Sequence, residues 1–95
     1  NALYVNEIAP RVHNSGHLTM NAYNVSQFEN HIRAICNLDM INLKKISNAE
    51  MINILGEEII KYRTNKKNKN EFFFDYLKKN IVSKRKMGHL TILKD

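Results

Sequence analysis

The strongest local signal in the sequence is a helix start at Ser26, so the fold must include at least one helix. Glu29 follows three residues later, which is the capping-box pattern: the serine oxygen accepts from the Glu29 N–H and the glutamate reaches back to the Ser26 N–H. Apolar side chains then recur on one helical face, at Phe28, Ile32, Ile35 and Cys36. We therefore predict an amphipathic helix from Ser26, with Cys36 as a packed thiol.

Most of the remaining chain consists of short β-like runs separated by turns. Alternation, or a high density of β-branched and aromatic side chains, predicts strands over residues 3–8, 41–46, 50–55, 72–77 and 88–93. A short helix is expected over residues 57–63, with Ile59 and Ile60 facing inward. These elements together predict an α+β fold that contains a small sheet.

The first predicted strand places a carboxylate beside apolar residues. Leu3, Val5 and Glu7 share one face because side chains alternate along a strand. An ionised glutamate buried there requires a cation, a metal ion or several hydrogen-bond donors. The alternative, a half-solvated Glu7 at the strand end, is equally compatible with this segment.

A loop over residues 9–16 follows, because Pro10 has no N–H to donate to a strand partner. Arg11 and His13 lie two residues apart in this loop. Arginine binds phosphate or carboxylate through two hydrogen bonds, and a nearby histidine adds a donor or a proton-transfer group. Taken as isolated residues, they are more simply interpreted as part of a solvated surface loop.

Composition restricts the cellular setting more than the function. No apolar run approaches the roughly 20 residues of a membrane span, and no secretory signal pattern is present, so we expect a soluble protein that binds no membrane. The single cysteine excludes an intrachain disulfide and favours the cytoplasm. Residues 64–70 contain three lysines and no apolar residue, which predicts a mobile, solvated loop.

Four ordered motifs resemble one enzyme family. The strings are VNEIAPRVHNSGH, SQFENHIRA, MINILG and RKMGH. They are similar to NEIAPRPHNSGH, SQFEQHLRA, MVNLLG and RKMGH in the 5-(carboxyamino)imidazole ribonucleotide synthases, the ATP-grasp ATPase subunit of phosphoribosylaminoimidazole carboxylase. The resemblance covers nearly the whole chain, and we expect the chain to correspond to the C-terminal part of such an enzyme and to be inactive alone.

The resemblance also implies a domain organisation. Residues 1–40 would be the C-terminal part of an ATP-grasp domain. Residues 41–95 would be a small, mostly antiparallel β domain of the rudiment single hybrid type, with the Lys/Asn-rich loop inserted at residues 64–70. The resemblance suggests a homodimer for the complete enzyme.

Ligand-binding residues are implied by the same motifs, although no catalytic residue is assigned within this chain. Asn6 and Glu7 would bind ATP, with Glu7 also a Mg²⁺ ligand. The 5′-phosphate and the rest of the ribonucleotide would be bound by Arg11, His13, Lys78 and Arg85. Lys79 is an alternative to Lys78 in the family's Tyr-x-Lys pattern. Val12 replaces a family proline, and residues 81–84 replace a family Arg-Pro-Gly.

The implied reaction carboxylates 5-aminoimidazole ribonucleotide with bicarbonate. ATP activates the bicarbonate as carboxyphosphate, and the nucleotide's amine is then carboxylated, with release of ADP and phosphate. Two alternatives remain open. The first is a related ATP-grasp ligase acting on another ribonucleotide. The second is a small nucleic-acid-binding module, favoured only by the net charge of +6 and the Lys-rich loop; we expect no nucleic-acid partner.

Overall fold

The computed structural model describes residues 1–95 and contains both helices and strands, which confirms the α+β prediction. A 3₁₀ helix, Asn14–Leu18, leads directly into a short helix, α1. The other elements follow in chain order: α1 Thr19–Ala22, α2 Gln27–Ile35, β1 Asn48–Leu55, α3 Glu58–Thr64, β2 Glu71–Asp75 and β3 Lys86–Lys94. None of these helices has the length and the apolar content that a membrane-spanning helix requires.

The three strands form one antiparallel sheet in the order β1-β3-β2, so the last strand of the chain is the central one. The predicted strands over residues 50–55, 72–77 and 88–93 are confirmed, with shifted ends. β2 stops at Asp75, two residues early, and Leu77 then adopts a φ of +55°. That left-handed conformation turns the chain away from the sheet.

One face of the sheet is apolar and packs under α3. Its buried core consists of Ile54, Ile59, Met87 and Leu90, and the partly buried side chains of Tyr62, Phe73 and Ile92 surround it. Ile59 faces inward as predicted. The prediction for Ile60 is wrong, because this side chain is 52% exposed. Consecutive helical residues point about 100° apart, so a single sheet face cannot bury both.

A close backbone approach joins the end of β1 to the loop before β3. Gly56 has a φ of +53°, and a Cβ built on it would lie 3.2 Å from both the backbone N of Lys84 and the Cα of Ser83. The Gly56 N–H donates to the Arg85 carbonyl at 2.8 Å. Lys84 itself adopts a φ of +63°, a conformation that is strained for residues other than glycine, asparagine and aspartate.

The start of α2 is as predicted, but its apolar face is not buried. Ser26 Oγ accepts from the Glu29 N–H at 3.0 Å. The Glu29 carboxylate binds Arg33 at 2.9 Å instead of the Ser26 N–H. The predictions of a core face and of a packed Cys36 are wrong, since Ile32, Ile35 and Cys36 are exposed. Only Phe28, at the start of this face, is partly buried, against His17 of the 3₁₀ helix.

Two predicted strands are absent. Residues 1–13 form no helix or strand, and the apolar side chains of Leu3 and Val5 are exposed together with Glu7. The buried row predicted beside Glu7 is therefore wrong, because no strand of this chain pairs with residues 3–8.

Residues 41–46 form only an isolated bridge, between Lys45 and Tyr23. Two asparagine side chains bind the backbone groups that a strand partner would use. The Asn30 amide donates to and accepts from the backbone of Ile41, and the Asn24 amide accepts from Lys44 N–H. This local bonding competes with strand pairing.

Candidate functional site

The second face of the sheet is polar and aromatic. His89 on β3 lies opposite Asn53 on β1 and opposite Phe74 on β2, so all three side chains are on the face away from α3. The rings of His89 and Phe74 are stacked with centroids 5.5 Å apart. His89 is 1% exposed, which makes it as buried as the apolar core.

The 3₁₀ helix covers this polar face. The His17 ring lies 4.6 Å from the His89 ring and 4.9 Å from the Phe28 ring of α2, measured between centroids. Asn14, at the other end of the same short helix, donates its side-chain amide to Asn53 Oδ1 at 2.9 Å. The NSGH segment is therefore fixed to the sheet at both of its ends.

A tyrosine hydroxyl joins the buried His89 to the partly buried His17. Tyr76 Oη lies 2.9 Å from His89 Nδ1 and 3.4 Å from His17 Nδ1. His17 Nδ1 also lies 2.8 Å from the Asn14 carbonyl oxygen, which can only accept, so His17 Nδ1 carries the proton. Tyr76 then accepts weakly from His17 and donates to His89 Nδ1. We call these three residues the His–Tyr–His cluster.

Two members of the cluster, His89 and Tyr76, are neutral near pH 7. Burial, and secondarily the charge of His17, lower the pKa of His89 to about 4. Burial also raises the pKa of the Tyr76 hydroxyl above its ordinary value. An uncharged His89 keeps Nδ1 free as an acceptor, which agrees with the hydrogen-bond direction derived from the Asn14 carbonyl.

A cavity of about 430 Å³ lies between the loop before the 3₁₀ helix and α2. Arg11, one of the predicted ligand-binding residues, borders it. Its other polar side chains are those of Thr19, Ser26, Gln27, Asn30 and His31, and Met40 and Leu43 are among its apolar ones. The volume is within the range of small-ligand pockets.

His13 holds the loop beside this cavity in shape. Its Nδ1 accepts from the Ser15 N–H at 3.1 Å and thereby caps the 3₁₀ helix. Its own backbone N–H donates to Gln27 Oε1 at 3.1 Å, and the Gln27 N–H donates to Thr19 Oγ1 at 2.8 Å. His13 thus has a structural role in addition to the predicted ligand contact.

The side chain of one predicted phosphate ligand, Lys78, contacts the backbone next to the other, Arg85, at one end of the sheet. Lys78 donates its ammonium group to the carbonyl of Lys86, the residue after Arg85, at 2.6 Å, and lies 5.6 Å from the centre of the Tyr76 ring. The Arg85 side chain is exposed and makes no hydrogen bond or ion pair within the chain. Lys79, the alternative to Lys78, is exposed.

The predicted ATP-binding residues lie neither at the cavity nor at the Lys78–Arg85 end of the sheet. Asn6 and Glu7 lie exposed in the irregular segment before Pro10, and their side chains make no hydrogen bond. No group of three or more potential metal-binding side chains occurs in the structure. A single carboxylate fits a Mg²⁺ ion whose other ligands are ATP oxygens and water, since Mg²⁺ commonly uses one or two protein carboxylates.

Sequence reasoning assigned no role to Asn14, His17, Gln27, Asn53, Tyr76 or His89. The signal that points to the last of these is the alternation along β3, which places His89 and Leu90 on opposite faces. A histidine that shares a strand with a core leucine but faces away from it must find another partner.

Comparison with known proteins gives matches over both parts of the chain. The profile of the phosphoribosylaminoimidazole carboxylase C-terminal domain matches residues 49–95, and that of the ATP-grasp domain matches residues 1–28. An N5-carboxyaminoimidazole ribonucleotide synthase from Brucella melitensis is 45% identical over 92 residues, which are 97% of this chain and 25% of that protein.

Two solved structures are similar in fold and sequence. The ADP complex of an N5-carboxyaminoimidazole ribonucleotide synthetase has a TM-score of 0.86 and 45% identity, over 97% of this chain and 25% of that one. An N5-carboxyaminoimidazole synthase from Aspergillus clavatus, in complex with ADP and 5-aminoimidazole ribonucleotide, has a TM-score of 0.79 and 32% identity, over 88% of this chain and 24% of that one. The chain spans about a quarter of the length of these relatives.

Proposed function

Because the chain belongs to the N5-carboxyaminoimidazole ribonucleotide synthase family, we propose that it is part of an ATP-dependent ligase acting in purine biosynthesis. The ligase carboxylates 5-aminoimidazole ribonucleotide with bicarbonate to 5-(carboxyamino)imidazole ribonucleotide. ATP converts bicarbonate to carboxyphosphate with release of ADP, and the amine of the nucleotide displaces phosphate from the carboxyl carbon. We further propose that the enzyme is cytoplasmic and homodimeric, with a domain boundary near residue 40.

The observation that carries the proposal is the pair of cations at the start of β3. The Lys78 ammonium is bound to the backbone of the residue after Arg85, so both side chains leave the sheet at the same end. Arginine and lysine bind phosphate through charge-assisted hydrogen bonds, and two such groups suit a terminal phosphate. We therefore assign the ribonucleotide 5′-phosphate to Lys78 and Arg85, and we prefer Lys78 to Lys79.

The remainder of the ribonucleotide site is assigned to the loop of Arg11 and His13. Arg11 borders a cavity of about 430 Å³ whose wall includes several hydrogen-bonding side chains. The loop is held in shape by the hydrogen bond from the His13 N–H to Gln27. A fixed position for these groups lowers the entropic cost of holding the nucleotide amine toward the activated carboxyl group.

ATP is assigned to the segment of Asn6 and Glu7. Glu7 contributes one oxygen to the Mg²⁺ ion that accompanies ATP, and Asn6 contributes an amide donor or acceptor to the nucleotide. When bound, Mg²⁺ neutralises charge that develops on the transferring phosphoryl group. The exposed position of both side chains leaves them free for these contacts.

The proposal is tested by ADP release from the complete ligase with Mg²⁺-ATP and bicarbonate, with and without 5-aminoimidazole ribonucleotide. We expect the ribonucleotide to stimulate ADP release. Arg85→Ala and Lys78→Ala should each raise the KM for the ribonucleotide by roughly 10- to 100-fold, because a charge-assisted hydrogen bond is lost. The matched variant Lys79→Ala should change it by less than about 3-fold.

Two results would contradict these assignments separately. An absence of stimulation by the ribonucleotide in the wild-type enzyme would refute the substrate. If the ribonucleotide stimulates the wild type and Arg85→Ala keeps the wild-type KM, the phosphate site is refuted, whereas the assignment of the substrate still holds.

A further inference from the structure

The His–Tyr–His cluster lies where three segments with proposed ligand-binding residues meet. His17 belongs to the short helix that follows the loop of Arg11 and His13, Tyr76 immediately follows β2, and His89 is near the start of β3. Lys78 is two residues after Tyr76, and Arg85 is four residues before His89. The proposed phosphate ligands therefore extend from the chain just beyond this cluster.

The contacts of Tyr76 fix the chain at the point where β2 and β3 separate. The last pair in the register is Asp75 with Gly88. Beyond it, the Tyr76 N–H still donates to the Met87 carbonyl at 3.0 Å, and the Tyr76 hydroxyl donates to His89 Nδ1 at 2.9 Å. Leu77 then turns the chain with a φ of +55°, and Lys78 folds back over the Tyr76 ring.

The hydrogen bonds of the His–Tyr–His cluster have a defined direction from donor to acceptor. His17 Nδ1 donates to the Asn14 carbonyl, and the Tyr76 oxygen accepts from the same N–H at the longer distance of 3.4 Å. The Tyr76 proton is therefore directed to His89. A phenylalanine at position 76 would keep the ring contacts with His89, Phe74 and His17 but would lose this directional bond.

We propose that Tyr76 and His89 are positioning residues for the ribonucleotide phosphate: their hydrogen bond sets the orientation of the Lys78–Arg85 end of the sheet without touching substrate. This inference rests on the proposed function. It assigns the specific role to the hydroxyl of Tyr76 and the Nδ1 acceptor of His89, not to their apolar packing. The three centroid distances of 4.6 to 5.7 Å within the cluster leave the rings packed against one another.

The test compares two Tyr→Phe substitutions in the complete ligase. Tyr76→Phe should raise the KM for 5-aminoimidazole ribonucleotide about 10-fold and leave the KM for ATP within about 2-fold, because one oriented hydrogen bond is lost near the phosphate ligands only. Tyr62→Phe is the matched control, since Tyr62 stacks on Phe73 on the opposite face of the sheet and makes no side-chain hydrogen bond. Its KM values should equal those of the wild type.

Two variants of His89 separate positioning from packing. His89→Asn retains an acceptor near the place of Nδ1 and should keep the ribonucleotide KM within about 3-fold, whereas His89→Leu has no acceptor and should match Tyr76→Phe. The inference is overturned if Tyr76→Phe keeps the wild-type ribonucleotide KM, or if the KM values for ATP and ribonucleotide rise together in proportion to a fall in the melting temperature. Failure of the wild type to respond to the ribonucleotide would instead overturn the proposed function.

Discussion

The two faces of the small sheet use the same three strands for different purposes. Leu90 and His89 are neighbours on β3 and are both buried, at 6% and 1% exposure. Leu90 packs with Ile54 and Ile59 under α3, where no polar atom requires a partner. His89 instead lies among Tyr76, His17 and Phe74, where Nδ1 of each histidine and the Tyr76 hydroxyl have hydrogen-bond partners. Because side chains alternate along a strand, one face of the sheet stabilises the fold while the other sets the geometry of the proposed site.

The largest expected effect comes from the apolar face. Ile54→Ala should lower the free energy of unfolding by about 2–5 kcal/mol, because it removes a fully buried side chain and leaves a cavity. Ile60→Ala, on the exposed side of α3, is the matched control and should cost less than about 0.5 kcal/mol. Urea unfolding measures both values. Equal losses in the two variants would show that the apolar face is not the core.

The polar face should make stability depend on pH. The pKa of His89 is lowered to about 4 in the folded state, so the unfolded chain takes up a proton first as the pH falls. The unfolding free energy should therefore be unaffected by His89 above pH ~6.5 and should fall between pH ~6.5 and ~4, by about 3 kcal/mol in total.

The control for the pH effect is His89→Asn, which removes the titrating group. Urea unfolding at several pH values should give a shallower slope for this variant than for the wild type in that interval. An unchanged slope in His89→Asn would mean that other groups account for the pH dependence, and the buried, neutral His89 would be contradicted.

A single methyl group added at the junction between β1 and the loop before β3 should lower the stability of the fold. Gly56→Ala should destabilise the fold by about 1–2 kcal/mol, because Gly56 has a φ of +53° and its Cβ would press on the Lys84 backbone. Thermal unfolding checks the value. A neutral substitution would mean that this backbone approach is looser than the structure indicates.

The smallest expected effect is a gain. Lys84→Gly should stabilise the fold by up to about 1 kcal/mol, because relief of the left-handed strain at a φ of +63° outweighs the added freedom of the unfolded chain. Ser83→Gly has no such strain to relieve and should be neutral or destabilising. Thermal unfolding should therefore rank the variants Lys84→Gly, wild type and Ser83→Gly, from the most to the least stable; the reverse order would contradict the assigned strain.

Much of the fold was predictable because its signals are local. The Ser26 cap, the later strands and the burial of Ile59 follow from spacing and residue type alone. The four motifs also predicted the family correctly. The exposed Ile35 could not be predicted, since an amphipathic pattern does not say whether anything covers the apolar face. The missing strand over residues 41–46 depends on distant asparagine side chains, a tertiary effect.

Less of the candidate site than of the fold could be predicted from the sequence. Arg11, Lys78 and Arg85 were selected because they match the family's ribonucleotide-binding positions and their charge suits phosphate, and their role stays a proposal. His17 and His89 occur within the recognised motifs, but a histidine in a sequence does not show whether it binds a ligand or packs in an interior. Only the folded structure relates them to each other, through a direct contact of their rings at 4.6 Å between centroids and through Tyr76, which lies 59 residues after His17.

The most direct test is titration calorimetry of the complete protein with 5-aminoimidazole ribonucleotide, comparing wild type, Arg85→Ala and Ile54→Val. We predict that wild type binds, that Arg85→Ala binds at least about 10-fold more weakly, and that Ile54→Val binds like wild type while being less stable by about 1 kcal/mol. No binding by the wild type, or equal dissociation constants for wild type and Arg85→Ala, would contradict a ribonucleotide site at this end of the sheet.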